Sequence, residues 1–288
     1  MATRSKQGTE EVVDQTTGEI VEVAGAGLPA AFDYGADAGG GFENQTADDY
    51  SVPFIALLQS KSKEVEKEDS VLRAGMLMLT DTKEAFDGKK GLLFVPATTQ
   101  HVINIWTPRD KGGGLVERLL PGDPKAEAAY AKAGTRFGKI QDEDGNEVVD
   151  TFNIFGQLVS EDDFEPLGMA VIGCNSTKIG PYQGLMKRLR THQIKDGNGR
   201  KVKPPMFAYV IRVTTESETR KGQKNFNFRF HAAVGDDLGK SMLPPNHPAY
   251  IAARMVRDKV DAGQLKASTE GEAHGAAPDE DADPTHTF

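Results

Sequence analysis

The run Asn225-Phe226-Asn227-Phe228-Arg229-Phe230-His231 alternates polar and apolar residues without a break. A strand turns successive side chains to opposite faces. This spacing therefore sets Phe226, Phe228 and Phe230 on one face and Asn225, Asn227, Arg229 and His231 on the other. Three phenylalanines in register fit a core face, which leaves the Asn/Arg face outward. Pro205 to Thr215 has the same character, with Phe207, Tyr209, Ile211 and Val213 sharing a side. The two runs read as an antiparallel hairpin joined by Glu216 to Lys224.

Outward from this hairpin the chain is rich in further strands. Met76–Leu79 is short, Gly91–Val95 stops at Pro96, and His101–Thr107, Phe152–Leu158 and Gly168–Cys174 follow. Helices are expected in four places. One begins after Ser51-Val52-Pro53 and carries Phe54, Ile55, Leu57 and Leu58, with a proline in its first turn. One spans Pro124–Ala133 and ends at Gly134. One spans Pro181–Thr191 with Leu185, Met186 and Leu189 inward. The last covers 247–261 with Tyr250, Ile251, Met255 and Val260 as its buried stripe. Strands and helices do not alternate as βαβ units. The expected class is α+β: a mostly antiparallel sheet or small OB-like barrel with a few flanking helices and disordered termini. The organisation read from composition is a disordered acidic arm at 1–45, one core at 46–266 and a disordered acidic tail at 267–288.

The 288 residues hold 34 basic and 43 acidic side chains, a formal net charge of −9. That charge is unevenly spread. Residues 1–50 carry −8 and residues 269–288 carry −6, whereas 171–230 hold 13 cations against 3 acids. A basic block inside an acidic chain is the chief clue to function. The single cysteine, Cys174, excludes an intrachain disulfide and a cysteine-based zinc site. The six histidines are scattered, and no apolar run approaches the ~20 residues of a membrane span. The polar N-terminus is unlike a signal peptide. The reading is cytoplasmic, without metal or cofactor.

Catalytic motifs are wanting. Gly134 to Lys139 is one residue short of a phosphate loop and lacks its hydroxyl. Asp142 to Gly145 has calcium-loop spacing only in part and reads as a turn. Glu161, Asp162, Asp163 and Glu165 read as solvated acids, and Cys174 as a buried, inert thiol. No enzyme is expected.

Single-stranded nucleic acid needs cations that track phosphates and flat side chains that stack on unpaired bases. Residues 171–230 offer both. Lys178, Lys187, Arg188 and Arg190 lie on and before the third helix. Arg200, Lys201 and Lys203 lie in the loop after it, and Arg212, Arg220, Lys221, Lys224 and Arg229 on the hairpin. Trp106, near Arg109 and Lys111, and Tyr182, near Lys178 and Lys187, are the stacking candidates, set against the usual burial of aromatics. The tail from Glu270 to Phe288 has six acids, no cations and a terminal aromatic. A hydrophobic side chain beside a free carboxylate suits a partner pocket with a basic rim. The same tail can fold back on the basic block and compete with nucleic acid.

A basic, strand-rich core followed by an acidic tail ending in Phe resembles the single-stranded DNA-binding proteins of bacteria and bacteriophages. The resemblance implies that Asp279, Glu280, Asp281, Asp283 and Phe288 recruit replication and recombination proteins and modulate DNA binding. Thr285, His286 and Thr287 stand between the acids and Phe288, a departure from the densest such tails. The core resembles a group of tailed-phage replication-region proteins. The matching segments are Tyr50–Ser60, Gly88–Pro96, Trp106–Arg109 with Gly112–Gly114, and Ser176–Lys178. The expected function is sequence-independent binding of single-stranded DNA in phage replication or recombination. Its partners would be the DNA and proteins held by the tail, with no membrane and with a homodimer as one assembly. Two alternatives stay open: a recombination mediator or annealing protein, and a virion accessory or host inhibitor that binds protein rather than DNA.

Overall fold

The structure is a computed structural model that describes residues 51–108, 111–136, 138–220 and 223–268. It also gives the backbone of 10–13 and 20–23, and of 220 and 223 the backbone alone. The chain divides into two units at residue 45. In the first, β1 (Glu10–Val13) and β2 (Ile20–Val23) pair antiparallel.

The second unit holds the core. β3 (Ser51–Val52) and β4 (Ile55–Leu57) lead to α1 (Lys63–Glu66), β5 (Leu77–Leu79), β6 (Ala85–Phe86) and β7 (Leu92–Trp106). β8 (Leu115–Leu119) and α2 (Pro124–Ala133) separate β7 from β9 (Glu147–Val159). β10 (Pro166–Asn175), a 3-10 turn at Ser176–Lys178 and α3 (Ile179–Thr191) follow. A small hairpin, β11 (Ile194–Lys195) with β12 (Lys201–Val202), precedes a second 3-10 turn at Met206–Ala208. Then come β13 (Ile211–Arg220), β14 (Gln223–Ala232), α4 (Pro248–Asp261) and β15 (Lys266–Ala267). None of these helices is long and apolar enough to cross a membrane.

The main sheet runs β10-β9-β7-β13-β14, and every pairing in it is antiparallel. It does not close into a barrel, so of the two expected forms the open sheet is the one present. β7 is its spine. One edge pairs with β9 from Leu93↔Val159 to Trp106↔Glu147. The other edge is shared: β13 takes Leu92 to Phe94, and β8 takes Ile103 to Trp106.

Pro96 does not end this strand, contrary to expectation. Proline lacks the N–H that a ladder needs and is tolerated at bulges. Pro96 sits at such a bulge, between the pairs Pro96↔Gly156 and Thr98↔Phe155, and beyond the last contact with β13. Gly156 is required opposite it. A Cβ there would lie 2.4 Å from Phe94 Cζ and 2.3 Å from the Val95 carbonyl oxygen.

Both faces of the sheet are buried, which accounts for the continuous apolar runs in β7 and β10. Leu92, Phe94, Ile154, Ile172, Ile211, Phe228 and Phe230 share one core with α3 and with the β4–β5 strands. Leu93, Val95, Phe155 and Val171 share a second with α4. Ile103, Ile105 and Val148 meet α2 in a third. Phe228 and Phe230 are core, as their alternation implied, and Phe226 is half-buried.

Two helical expectations are corrected. Phe54 to Leu58 is extended rather than helical. Its apolar run is short enough to fit either period, and pairing of Ile55↔Leu79 and Leu57↔Leu77 decides for strand. In α4 the buried stripe is Ala249, Ala253 and Val256, while Ile251 and Met255 are 39% and 53% exposed. Small alanines let the helix approach the sheet closely, so the larger side chains flank the contact.

β14 is an outer strand of the sheet, and its free backbone edge is capped by side chains. The Gln59 amide donates to the Phe226 carbonyl at 2.8 Å and accepts from the Phe226 N–H at 2.9 Å. Asn227 accepts from the Phe228 N–H, Arg188 donates to the Phe230 carbonyl, and Asp236 accepts from the Ala232 N–H. An edge blocked in this way resists pairing with a second chain.

Three substitutions test this packing and the capped edge. Gly156→Ala should lower stability by about 1–3 kcal/mol through overpacking. Gly168→Ala, where a Cβ meets nothing within 4 Å, should leave the denaturant midpoint nearly unchanged. Gln59→Glu cannot donate to Phe226. It should lose about 1–3 kcal/mol for the orphaned carbonyl and raise self-association in sedimentation; an unmoved midpoint would refute the edge-capping role.

Candidate nucleic-acid interface

Register decides which cations of the basic block remain available. Arg212 holds Glu161 through two hydrogen bonds of 2.7 Å, which depresses the Glu161 carboxyl pKa. Arg188 pairs with Asp236 at 2.8 Å, and the Asp236 pKa falls for that reason. Arg229 meets Glu216 and Glu218. Those two acids lie two apart on β13 and so share a face, within reach of an arginine on the facing strand. The alternation of Glu216-Ser217-Glu218 carried this signal, which the charge count missed.

Other expected residues are buried. Lys178 is 8% exposed, with its ammonium 5.9 Å from the Phe228 ring centre. Trp106 and Tyr182, the expected stacking rings, are 6% and 7% exposed. The hairpin's polar face is not a free surface either. Asn227 is buried, and its amide donates to the Thr177 carbonyl at 3.0 Å. Lys111 is exposed beside Gly145, and Lys224 is exposed over the Phe226 ring. Arg109, Lys221, the Arg220 side chain and the tail residues Asp279, Glu280, Asp281, Asp283 and Phe288 lie outside the described residues.

The other exposed cations of the block lie on consecutive elements, α3, β11 and β12, and the loop after them. Lys187 and Arg190 are three apart on α3 and so adjoin on its outer face, while Leu185, Met186 and Leu189 anchor the inner face. The chain leaves α3 directly into β11 and β12. There Lys195 pairs across the hairpin with Lys201, flanked by Arg200 and Lys203. All six cations are exposed, and none meets an acid among the described residues. Asp196 is the one acid between 187 and 203. Its carboxylate is occupied by the turn, accepting from the N–H groups of Asn198 and Arg200 at 2.9 and 2.8 Å. Lys195 was absent from the sequence-based candidates. Its role emerges only once β11 and β12 pair.

Two like charges directly opposite destabilise a hairpin by roughly 0.2–1 kcal/mol. A phosphate bridging Lys195 and Lys201 would reverse that sign.

The family model for Pam3 phage gp34-like proteins matches residues 21–266. The chain belongs to that family. No curated protein and no solved structure matches it. The phage kinship is thus shown, while the family's description names no ligand and no reaction.

The remaining motifs fall into ordinary roles. Asp142 closes a turn by accepting from the N–H groups of Asp144 and Asn146. Among the described residues no group of three His, Cys, Asp or Glu side chains is placed to hold a metal. Cys174 is fully buried, and burial pushes its thiol pKa up to about 12. Native protein should therefore resist iodoacetamide at pH 8 and react once denatured. An unfolded thiol ionises near 8.5, well below the folded value. The unfolded state thus releases a proton first, and stability falls as pH rises from about 8.5 toward 12, by roughly 1.4 kcal/mol per unit for this group. Denaturant midpoints at pH 8 and 10, compared with Cys174→Ala, should show the steeper fall in the native sequence.

Proposed function

We propose that this protein binds single-stranded DNA without sequence choice and acts in phage DNA replication or recombination. The observation that carries the reading is the Lys195↔Lys201 pair with Lys187, Arg190, Arg200 and Lys203 around it. Like charges held opposite one another lower the stability of the hairpin, and a run of phosphates removes that penalty. The outer faces of a helix and a two-stranded hairpin also project from a sheet that is buried on both sides, so a flexible strand can reach them. Membership of a phage family and the resemblance of the acidic, Phe-tipped tail to those of single-strand binders support the same reading. The tail residues Asp279 to Phe288 are then the part that recruits replication and recombination proteins.

Fluorescence titration with oligo-dT at low salt should show binding. Its logarithm should fall linearly with log salt at about −0.7 per phosphate contacted. Lys195→Glu with Lys201→Glu should abolish most of the affinity and flatten the slope. Lys132→Glu, on the exposed side of α2, should change neither. Absence of binding at low salt, even after deletion of residues 269–288, would overturn the reading. Equal, weak retention on DNA and heparin would favour an acidic protein partner instead, and accelerated pairing of complementary oligomers would favour an annealing protein.

A further inference from the structure

Across the face of the sheet that α2 and α3 cover, paired residues form a row perpendicular to the strands. Cys174 on β10 faces Phe152 on β9, and Phe152 faces His101 on β7. The row ends there. Among the described residues no strand pairs with the next edge of β7 between Phe94 and Ile103.

The side chains in this row are stacked rings. His101 and Phe152 lie 4.3 Å apart at 16°, and Tyr182 from α3 stacks on Phe152 at 4.8 Å and 22°. Tyr182 is the buried end, whereas the His101 side chain is 32% exposed at the gap in the sheet edge. The imidazole is held in place. Its Nε2 lies 2.7 Å from Asp150 Oδ1, and the Tyr130 hydroxyl donates to Asp150 Oδ2 at 2.9 Å. A fixed ring loses little freedom when a ligand stacks on it. The row is tied to the cations through α3 itself, which carries the buried Tyr182 and, two turns further on, the exposed Arg190.

We propose that His101, backed by Phe152 and Tyr182, is a nucleobase subsite in which an unpaired base stacks on the exposed ring as the next member of the row. Asp150 and Tyr130 are positioning residues that set the imidazole plane. The phosphates on either side of the base run to Arg190 and on to the β11–β12 lysines. This inference rests on the single-strand reading above and adds a contact to the base, which the cation cluster by itself does not make.

Two oligo-dT strands of equal length separate the two ideas, one intact and one with abasic sites in place of its bases. Both carry the same phosphates. The native protein should bind the intact strand about tenfold or more tightly. His101→Gln retains a partner for Asp150 but has no ring. It should bring the intact strand down to the abasic level and leave the abasic affinity unchanged. His101→Phe should keep the preference for bases. The Lys195→Glu, Lys201→Glu variant should weaken both strands alike. Equal affinity of the native protein for the two strands, or an equal loss on both in His101→Gln, overturns the subsite while the phosphate reading stands. Failure of the native protein to bind either strand overturns both. Should His101→Gln misfold, the native protein still decides: the His101 imidazole proton resonances should shift with the intact strand and not with the abasic one, and shifts that are equal or absent overturn the subsite.

Discussion

The core depends on one strand being allowed to pass a proline. β7 must serve β9 along one whole edge and two unrelated strands along the other, β13 at its start and β8 at its end. That is feasible only if the chain stays extended through Pro96. The bulge after Pro96 absorbs the missing N–H, and Gly156 makes room opposite for the Phe94 ring. Had the strand broken there, the α2 core around Ile103 and Ile105 would be detached from the α3 and α4 cores around Phe94 and Val95. The stretch Thr98 to His101, which follows this bulge, is half-exposed. The exposed end of the ring row thus lies a few residues beyond the bulge that lets one strand serve all the cores.

Burial of both sheet faces limits where binding residues can stand. Many side chains on the strands enter a core, and others pair with charges on a neighbour, as Arg212 and Arg229 do. Exposed pairs of this kind add little to stability, typically under 1 kcal/mol. They nonetheless settle availability, because a cation with a carboxylate at hydrogen-bond distance offers less to a phosphate. Apart from Lys224 at the start of β14, the block's exposed cations without an acid partner among the described residues sit outside the main sheet, on the outer face of α3 and on β11–β12.

The fold was legible wherever a period ran long enough. Phe226 to Phe230 announced a strand and its core face, and Leu185, Met186 and Leu189 announced the inner side of α3. Pro124–Ala133 with Gly134 at its end was read to the residue, because Asp123 and Gly134 supply the caps. The failures came where tertiary contacts outweigh local preference. Phe54 to Leu58 is too short to show a period, and Pro96 looks like a stop unless the bulge is known. In α4 the large apolar residues seemed the buried ones, yet alanines fill the narrow space against the sheet. The candidate site was legible in outline, as a basic block after Cys174. Its selection was not. His101 and Asp150 lie 49 residues apart, and Lys195 meets Lys201 only through a register that no periodicity in so short a hairpin reveals.

Regional charge and local pairing therefore answer different questions. An excess of 13 cations over 3 acids in residues 171–230 marks where a positive potential arises. It does not tell which side chains can reach a ligand. Acids from outside that block, Glu161 and Asp236, take Arg212 and Arg188, and two of its own three acids take Arg229. The third, Asp196, is held by its own turn. The segment from Lys187 to Lys203 thus retains most of its positive charge through the placement of the acids rather than through their scarcity. A long-range field attracts any anion. Under the proposed function, a pair of lysines held in register would favour anions of phosphate spacing, and a fixed ring at the end of a stacked row would add selectivity for strands whose bases are unpaired.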